Sequence, residues 1–390
     1  MHADLAVPAL AGRPPTGSAL LSTLRRTQYA RLDATGHAYL DYTGAALYGS
    51  GQIEAHHETL LRDVLGNPHS ENPTSAVSTD RMDCARARVL EFFHADRASY
   101  DVVFTTNASA ALRLVGESFP FQPGSRFVLT ADNHNSVNGI RCYAERAGAD
   151  VRRVPLRGDL RSTDPLPWLD GARADRRHLF AYPAQSNFSG VRHPVDWIDD
   201  ARDRGYHIVL DAAAFAPTAP LDIGALEPDF VCLSFYKMFG FPTGIGALIA
   251  RREALAVLRR PWFAGGTVDW VSTQYAGHAL RSGSAAFEDG TPHFLAFDAV
   301  IDGLDLLDNI AMPCIAEHTQ AMTALMLDRM VALRHPGGEP LVAIHGPLDL
   351  EQRGATVAFN VLGAGGEVVP FERVVAAAAR HRVSVRGGCF

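Results

Sequence analysis

Phe230-Val-Cys-Leu-Ser-Phe-Tyr-Lys-Met-Phe-Gly-Phe-Pro-Thr-Gly-Ile-Gly246 decides the fold. Its first five residues are a short, mostly apolar run, the kind that forms a strand buried on both faces of a sheet. Lys237 follows the strand and opens a turn with Gly240, Gly244 and Gly246, where backbone can pass close to a ligand. In an open α/β sheet such a junction lies beyond the carboxyl end of a strand, where ligands bind. Lys237 is also the single lysine of the chain: of 36 lysine and arginine residues, the other 35 are arginine. A guanidinium stays protonated, whereas a desolvated amine can lose its proton and attack a carbonyl. The functional reading is an imine-forming lysine, and on position alone an exposed surface lysine fits the same place.

Outward from this stretch, Asp101–Thr105, Arg126–Thr130, His178–Tyr182, His207–Asp211 and Gly246–Ala250 read as further buried strands. Between them, 81–93, 109–118 and 194–204 carry apolar residues at helical spacing, with Met82, Ala85, Val89 and Phe93 sharing one side. Strand–helix alternation predicts an α/β domain with a mainly parallel sheet. After about residue 295 the pattern changes to two helices (295–307, 317–333), a Gly/Pro-rich turn at 335–340, a strand at 356–360, a helix at 371–382 and a strand at 383–385. The expected organisation is an N-terminal segment (1–38), a large domain (39–294) and a smaller α+β C-terminal domain (295–390).

Composition narrows the class. The 390 residues are 47% hydrophobic with a net charge of −7, which suits a globular protein of two or so domains with a large core. No apolar run reaches 18 residues, so no membrane helix is expected. The N-terminus has an acid where a secretory signal needs basic residues, which makes the cytoplasm the expected location. A mildly acidic balance gives no reason to expect nucleic acid. Cys84, Cys142, Cys232, Cys314 and Cys389 are odd in number, widely spaced and free of any CxxC, against a disulfide framework or zinc site.

Two further elements join Lys237. Asp211 ends its own strand 26 residues earlier, where its carboxylate could pair with a pyridinium nitrogen or simply cap a helix. Phe104-Thr-Thr-Asn-Ala-Ser-Ala-Ala-Leu112 is a strand, a small polar turn and a helix, whose N-terminal N–H groups and hydroxyls suit an anion. Anion turn, aspartate and lysine, in that order, point to pyridoxal 5'-phosphate as cofactor.

These phrases run in one family's order, together with Tyr39-Leu-Asp-Tyr-Thr-Gly-Ala45, Gly66-Asn-Pro-His-Ser70, Asp132-Asn-His-Asn-Ser-Val137, Gln185-Ser-Asn-Phe-Ser-Gly190, Leu210-Asp-Ala-Ala-Ala214, Phe287-Glu-Asp-Gly-Thr-Pro292 and Val385-Arg-Gly-Gly-Cys-Phe390. The chain resembles the class V aminotransferase superfamily of pyridoxal-phosphate enzymes, and within it the cysteine-desulfurase-like N-terminal part of molybdenum cofactor sulfurases. The resemblance implies fold type I of the pyridoxal-phosphate transferases. It implies that Lys237 carries the cofactor and serves as acid and base at the substrate Cα, that Asp211 holds the pyridine nitrogen and that His134 stacks on the ring. Asn107, Ala108 and Ser109 would hold the phosphate with Ser234, Asn187 would contact the ring hydroxyl or substrate carboxylate, and Arg386 would grip that carboxylate. Thr291 would reach a phosphate across a homodimer interface.

The chain departs from many relatives at Tyr236, where they have His, and at Ala214, where they have a Gln that bonds the ring oxygen. The implied substrate is L-cysteine, giving alanine while a thiolate takes the sulfur for a further acceptor. The family spacing R-x-G-x-x-C, laid on Arg386 and Gly388, puts that thiol one residue after Phe390, and Cys389 matches the first cysteine of R-x-G-C-F-C. Three readings stay open: a sequence cut before the thiol, Cys389 as the nucleophile, or a different reaction on a small amino acid, such as transamination, racemisation or a lyase step. A catalytically dead partner protein is the remaining class, and the intact lysine, aspartate and phosphate turn argue against it.

Overall fold

In a computed structural model of the chain, the described residues are 17–388. The strands, in chain order, are β1 (Ala38–Tyr39), β2 (Tyr100–Thr105), β3 (Arg126–Thr130), β4 (Asp150–Val154), β5 (His178–Pro183), β6 (Tyr206–Asp211), β7 (Phe230–Ser234), β8 (Gly246–Arg251), β9 (Val268–Val271), β10 (His278–Leu280), β11 (Val342–His345), β12 (Ala358–Val361) and β13 (Val383–Ser384). Seven of them form the central sheet in the order β2-β8-β7-β6-β5-β3-β4. β8 pairs antiparallel with both β2 and β7, and the other pairings are parallel. The mainly parallel α/β sheet predicted from the strand–helix alternation is therefore present.

β4 was not among the expected strands, for a physical reason. It reads Asp-Val-Arg-Arg-Val, lies at the sheet edge beside β3 alone and is largely solvated, so it lacks the apolar run of a central strand. The central strands behave as their sequences demand. Every residue of β5 is buried, and alternate side chains enter opposite cores: Phe180 and Tyr182 join Val231 and Leu233 on one face, Leu179 and Ala181 join Val209 and Phe230 on the other.

The first face is covered by the helices Pro73–Phe92 and Phe297–Ile310, the second by Ala108–Ser118. The Pro73–Phe92 helix begins eight residues before the expected start at Arg81. Its first turns are polar, so periodicity misses them. The start is instead signalled by Asn72, whose side chain accepts the Ser75 N–H at 3.0 Å, and by Pro73 in the first helical turn.

Lys237 also differs from expectation in its local setting. It sits in a short helix, Phe235–Phe239, before the glycine turn begins. Phe235 and Phe239 stack, ring centroids 5.9 Å apart, and both face the core. A Cβ on Gly303 would fall 2.1 Å from the Phe239 ring, so the absence of a side chain there makes the seat for this helix. The helix stops at Gly240, whose φ of +84° and close approach to the Tyr48 amide both exclude other residues.

Beyond the sheet, β9 and β10 form a hairpin, as do β11 and β12. β13 pairs in parallel with β1, with Ala38 opposite Val383 and Tyr39 opposite Ser384. This pairing brings Asp41 beside Arg386.

Candidate functional site

The carboxyl ends of β3, β5, β6 and β7 and the turn after β2 surround a cavity of about 180 Å³. Eight of the expected site residues line it: Asn107, Ala108, Ser109, His134, Asn187, Asp211, Ser234 and Lys237. Gln185, Ala213, Ala214 and Tyr236 line it too, and none of these four was singled out as a ligand from the sequence. For Gln185 a signal existed, since it stands two residues past the end of a buried strand.

Lys237 is half-buried. Desolvation pushes its amine below the ordinary lysine range; the Asp211 carboxylate opposes this and the Arg386 charge adds to it. A larger neutral, nucleophilic fraction results. Asp211 is buried, and desolvation pushes its carboxyl up. The Ala213 N–H, 3.0 Å from Oδ1, and the charges of Lys237 and His134 work the other way. His134 accepts the Ser136 N–H through Nδ1 at 3.1 Å, so its neutral ring carries the proton on Nε2. Burial lowers its pKa further, Asp211 raises it and Lys237 lowers it.

The anion turn is built by side chains that use up selected amides. Asn107 caps the Ala108–Ser118 helix, its Oδ1 accepting the Ala110 N–H at 2.9 Å. Ser234 reaches across from β7 to accept the Ala108 N–H at 2.8 Å. The Ser109 amide between them has no partner among the described residues. Ser109 Oγ meets Ser136 Oγ at 2.6 Å, which ties this turn to the His134 turn. A Cβ on Gly246 would lie 2.6 Å from Asn107 Cα, so glycine lets β8 pass directly under the turn.

Three expected residues lie elsewhere. Thr291 lines a separate cleft of about 570 Å³ with Gly66–Ser70, and Asn67 Nδ2 donates to its hydroxyl at 3.2 Å. Arg386 is not in the cavity wall. Its Nε and Nη2 fork onto Asp41 at 2.7 and 2.8 Å, over Gly44, where a Cβ would sit 2.0 Å from Nη2. Cys389 lies outside the described residues. Of the described cysteines, Cys232 is buried in β7 with its thiol pushed well up by desolvation, and none lines the cavity.

A family model described as aminotransferase class-V matches residues 38–388. Molybdenum cofactor sulfurase of Bos taurus is 38% identical, over 96% of this chain and 45% of its own length. Molybdenum cofactor sulfurase of Arabidopsis thaliana is 33% identical, over 96% of this chain and 51% of its own length. The chain thus spans about half the length of the curated relatives it matches. Among solved structures, apo cysteine desulfurase from Thermococcus onnurineus NA1 superimposes with a TM-score of 0.81 at 26% identity, covering 94% of this chain and 87% of that one.

Proposed function

Because the chain belongs to the aminotransferase class-V family, a family of pyridoxal-phosphate enzymes, we propose that it removes sulfur from L-cysteine and leaves alanine. The observation that carries the reading is the meeting of one desolvated lysine, one buried aspartate and an open helix N-terminus in a single cavity, in a chain 38% identical to a sulfurase.

The donor set fits the cofactor. The unpartnered Ser109 amide, with the Ser109 and Ser234 hydroxyls and Asn107, suits a phosphate dianion at a helix N-terminus. A buried carboxylate kept near two bases suits a protonated pyridine nitrogen. When bound, pyridoxal phosphate supplies an electron sink for the pair left when a Cα proton departs. The chain's own groups do the rest. Lys237, with its pKa lowered, offers a neutral amine to bind the cofactor and then takes or returns a proton at the substrate Cα. Asp211 would hold a proton on the ring nitrogen, and the His134 ring, in the wall after β3, would cover the ring. Asn187, in the cavity wall, would contact the ring hydroxyl or the substrate carboxylate. Arg386, whose charge acts on Lys237, would receive that carboxylate in a charge-assisted fork by exchanging its present partner Asp41 for it. Thr291, in the separate cleft beside Asn67, would hold the phosphate bound by a second copy, and the working assembly would then be a homodimer. The sulfur leaves to a thiolate, Cys389 or one supplied from outside the described residues, and the persulfide passes to an acceptor.

The test is the product set. L-cysteine with a reductant gives alanine and sulfide in equal amounts. Alanine that forms only when pyruvate and an amino donor are supplied assigns the chain to transamination instead. Cys389→Ser with unchanged turnover removes Cys389 as nucleophile.

A further inference from the structure

Gln185 is 3% exposed and lines the Lys237 cavity. Its amide is fixed from both ends. Nε2 donates to the Ala214 carbonyl at 3.0 Å, and Oε1 accepts from Arg192 Nε at 3.0 Å. These two bonds settle which end is nitrogen, because a carbonyl oxygen cannot donate and a guanidinium cannot accept. Oε1 is also seated on Gly354, where a Cβ would fall 1.9 Å away.

The surroundings keep this amide from turning. The Arg192 N–H bonds Gln352 O at 2.8 Å, and the Gly354 N–H bonds Gly190 O at 2.7 Å. Arg353 between them is buried and donates to Pro347 O at 2.7 Å and Thr356 O at 3.0 Å. Arg192 itself lies over the Phe215 ring, 5.3 Å from its centroid, and makes no ion pair among the described residues. Desolvation alone lowers its pKa. A partly buried guanidinium without a carboxylate is costly, and its one side-chain acceptor is Gln185 Oε1.

A primary amide nitrogen has two hydrogens. Ala214 O takes one, and a second donor in a buried wall needs an acceptor. Ala214 follows Asp211 by three residues on the same rim and contributes only a methyl side chain. The amide, bonded to the Ala214 carbonyl, therefore stands on the rim of the cavity that carries Asp211.

We propose that Gln185 is a cofactor-binding residue, donating its second Nε2–H to the ring oxygen of the bound pyridoxal group, with Arg192 as the residue that positions it. The assignment rests on the pyridoxal-phosphate reading above. The test uses the full chain loaded with pyridoxal 5'-phosphate, without substrate. Cofactor affinity and the pH midpoint of the protein-bound chromophore are measured in the wild type, Gln185→Leu and Gln185→Glu. Gln185→Glu keeps the shape and the Arg192 contact but has no N–H, so it decides the matter if Gln185→Leu does not fold. Loss of a donor to an anionic oxygen weakens cofactor binding about tenfold or more. It also raises the midpoint, because a more basic ring oxygen holds the neighbouring proton to higher pH. Arg192→Met moves both readings the same way by a smaller amount. Wild-type affinity and midpoint in a folded Gln185 variant overturn the proposal. A wild-type chain that binds no cofactor instead overturns the reading on which it rests.

Discussion

Glu288→Ala is expected to loosen the loop that carries Thr291. Glu288 is only 6% exposed although it sits in a loop. Its Oε1 accepts from Arg86 Nη1 at 3.0 Å and from the Phe104 N–H at 2.8 Å, and its Oε2 from Arg86 Nη2 at 3.3 Å. Burial pushes its carboxyl up, against the pull of Arg86 and the Phe104 amide. The charge is thus held at a cost, and the benefit lies in leaving neither partner orphaned. Alanine removes all three bonds. Asp83, 3.8 Å from Arg86 and exposed, is a poor replacement. Breaking one side of a buried pair costs about 3–5 kcal/mol. The milder change Glu288→Gln retains an acceptor for the Phe104 N–H and costs roughly 1.5–3 kcal/mol.

The assay is urea denaturation, read as a lower midpoint at unchanged slope. The pH dependence has a definite sign. With its folded pKa above the unfolded one, Glu288 contributes most in acid, and that contribution falls as pH rises from the ordinary carboxyl range through the folded value. The Glu288→Gln deficit therefore shrinks over the same window. An alanine variant within about 1 kcal/mol of wild type refutes the reasoning, since it would lie far below the cost expected of a broken buried pair.

Borohydride reduction of the loaded protein is expected to fix the cofactor to Lys237, and a label at any other position rejects that residue. In the apo protein, the pH at which Lys237 reacts with a small aldehyde falls in Asp211→Asn and rises in Arg386→Ala, because the carboxylate raises and the guanidinium lowers the amine's pKa; shifts in one common direction would contradict this electrostatic picture. Arg386→Ala raises KM for the amino acid by roughly 1.5–3 kcal/mol in binding terms, whereas Asp41→Asn, which leaves one acceptor of the fork and keeps the guanidinium, leaves KM within about threefold. Gly246→Ala forces a methyl against Asn107 and the Leu233 carbonyl, so it lowers cofactor affinity at equal loading concentration; unimpaired binding would mean that the turn shifts freely.

Sequence reading reaches the parts of this fold that repeat a local pattern. The buried strands ending at Thr105, Asp211 and Ser234 are apolar runs, and their order placed Asn107, Asp211 and Lys237 on one edge. It fails where partnership rather than pattern makes the element. β4 is a strand because β3 pairs with it. β1 and β13 are two residues each and meet across most of the chain, so nothing local announces the Asp41–Arg386 fork. Gln185 lies within a family phrase that gives no hint of its setting, because Arg192 and Gly354 close around its amide only in the fold. The Gly66–Ser70 and Phe287–Pro292 phrases were each legible, yet only folding shows that they share a cleft.

The reversed strand β8 has a kinetic consequence. Ser234 and Gly246 are direct partners across β7 and β8, so the eleven residues between them, Lys237 included, leave and re-enter the sheet at a single rung. Both anchors lie in the buried stretches of central strands, where amides are expected to exchange with solvent only when the largest cooperative unit opens. Lys237 is thus carried between two anchors in the sheet core, and hydrogen exchange at Cys232–Ser234 is expected to track global unfolding while the surface loops exchange faster.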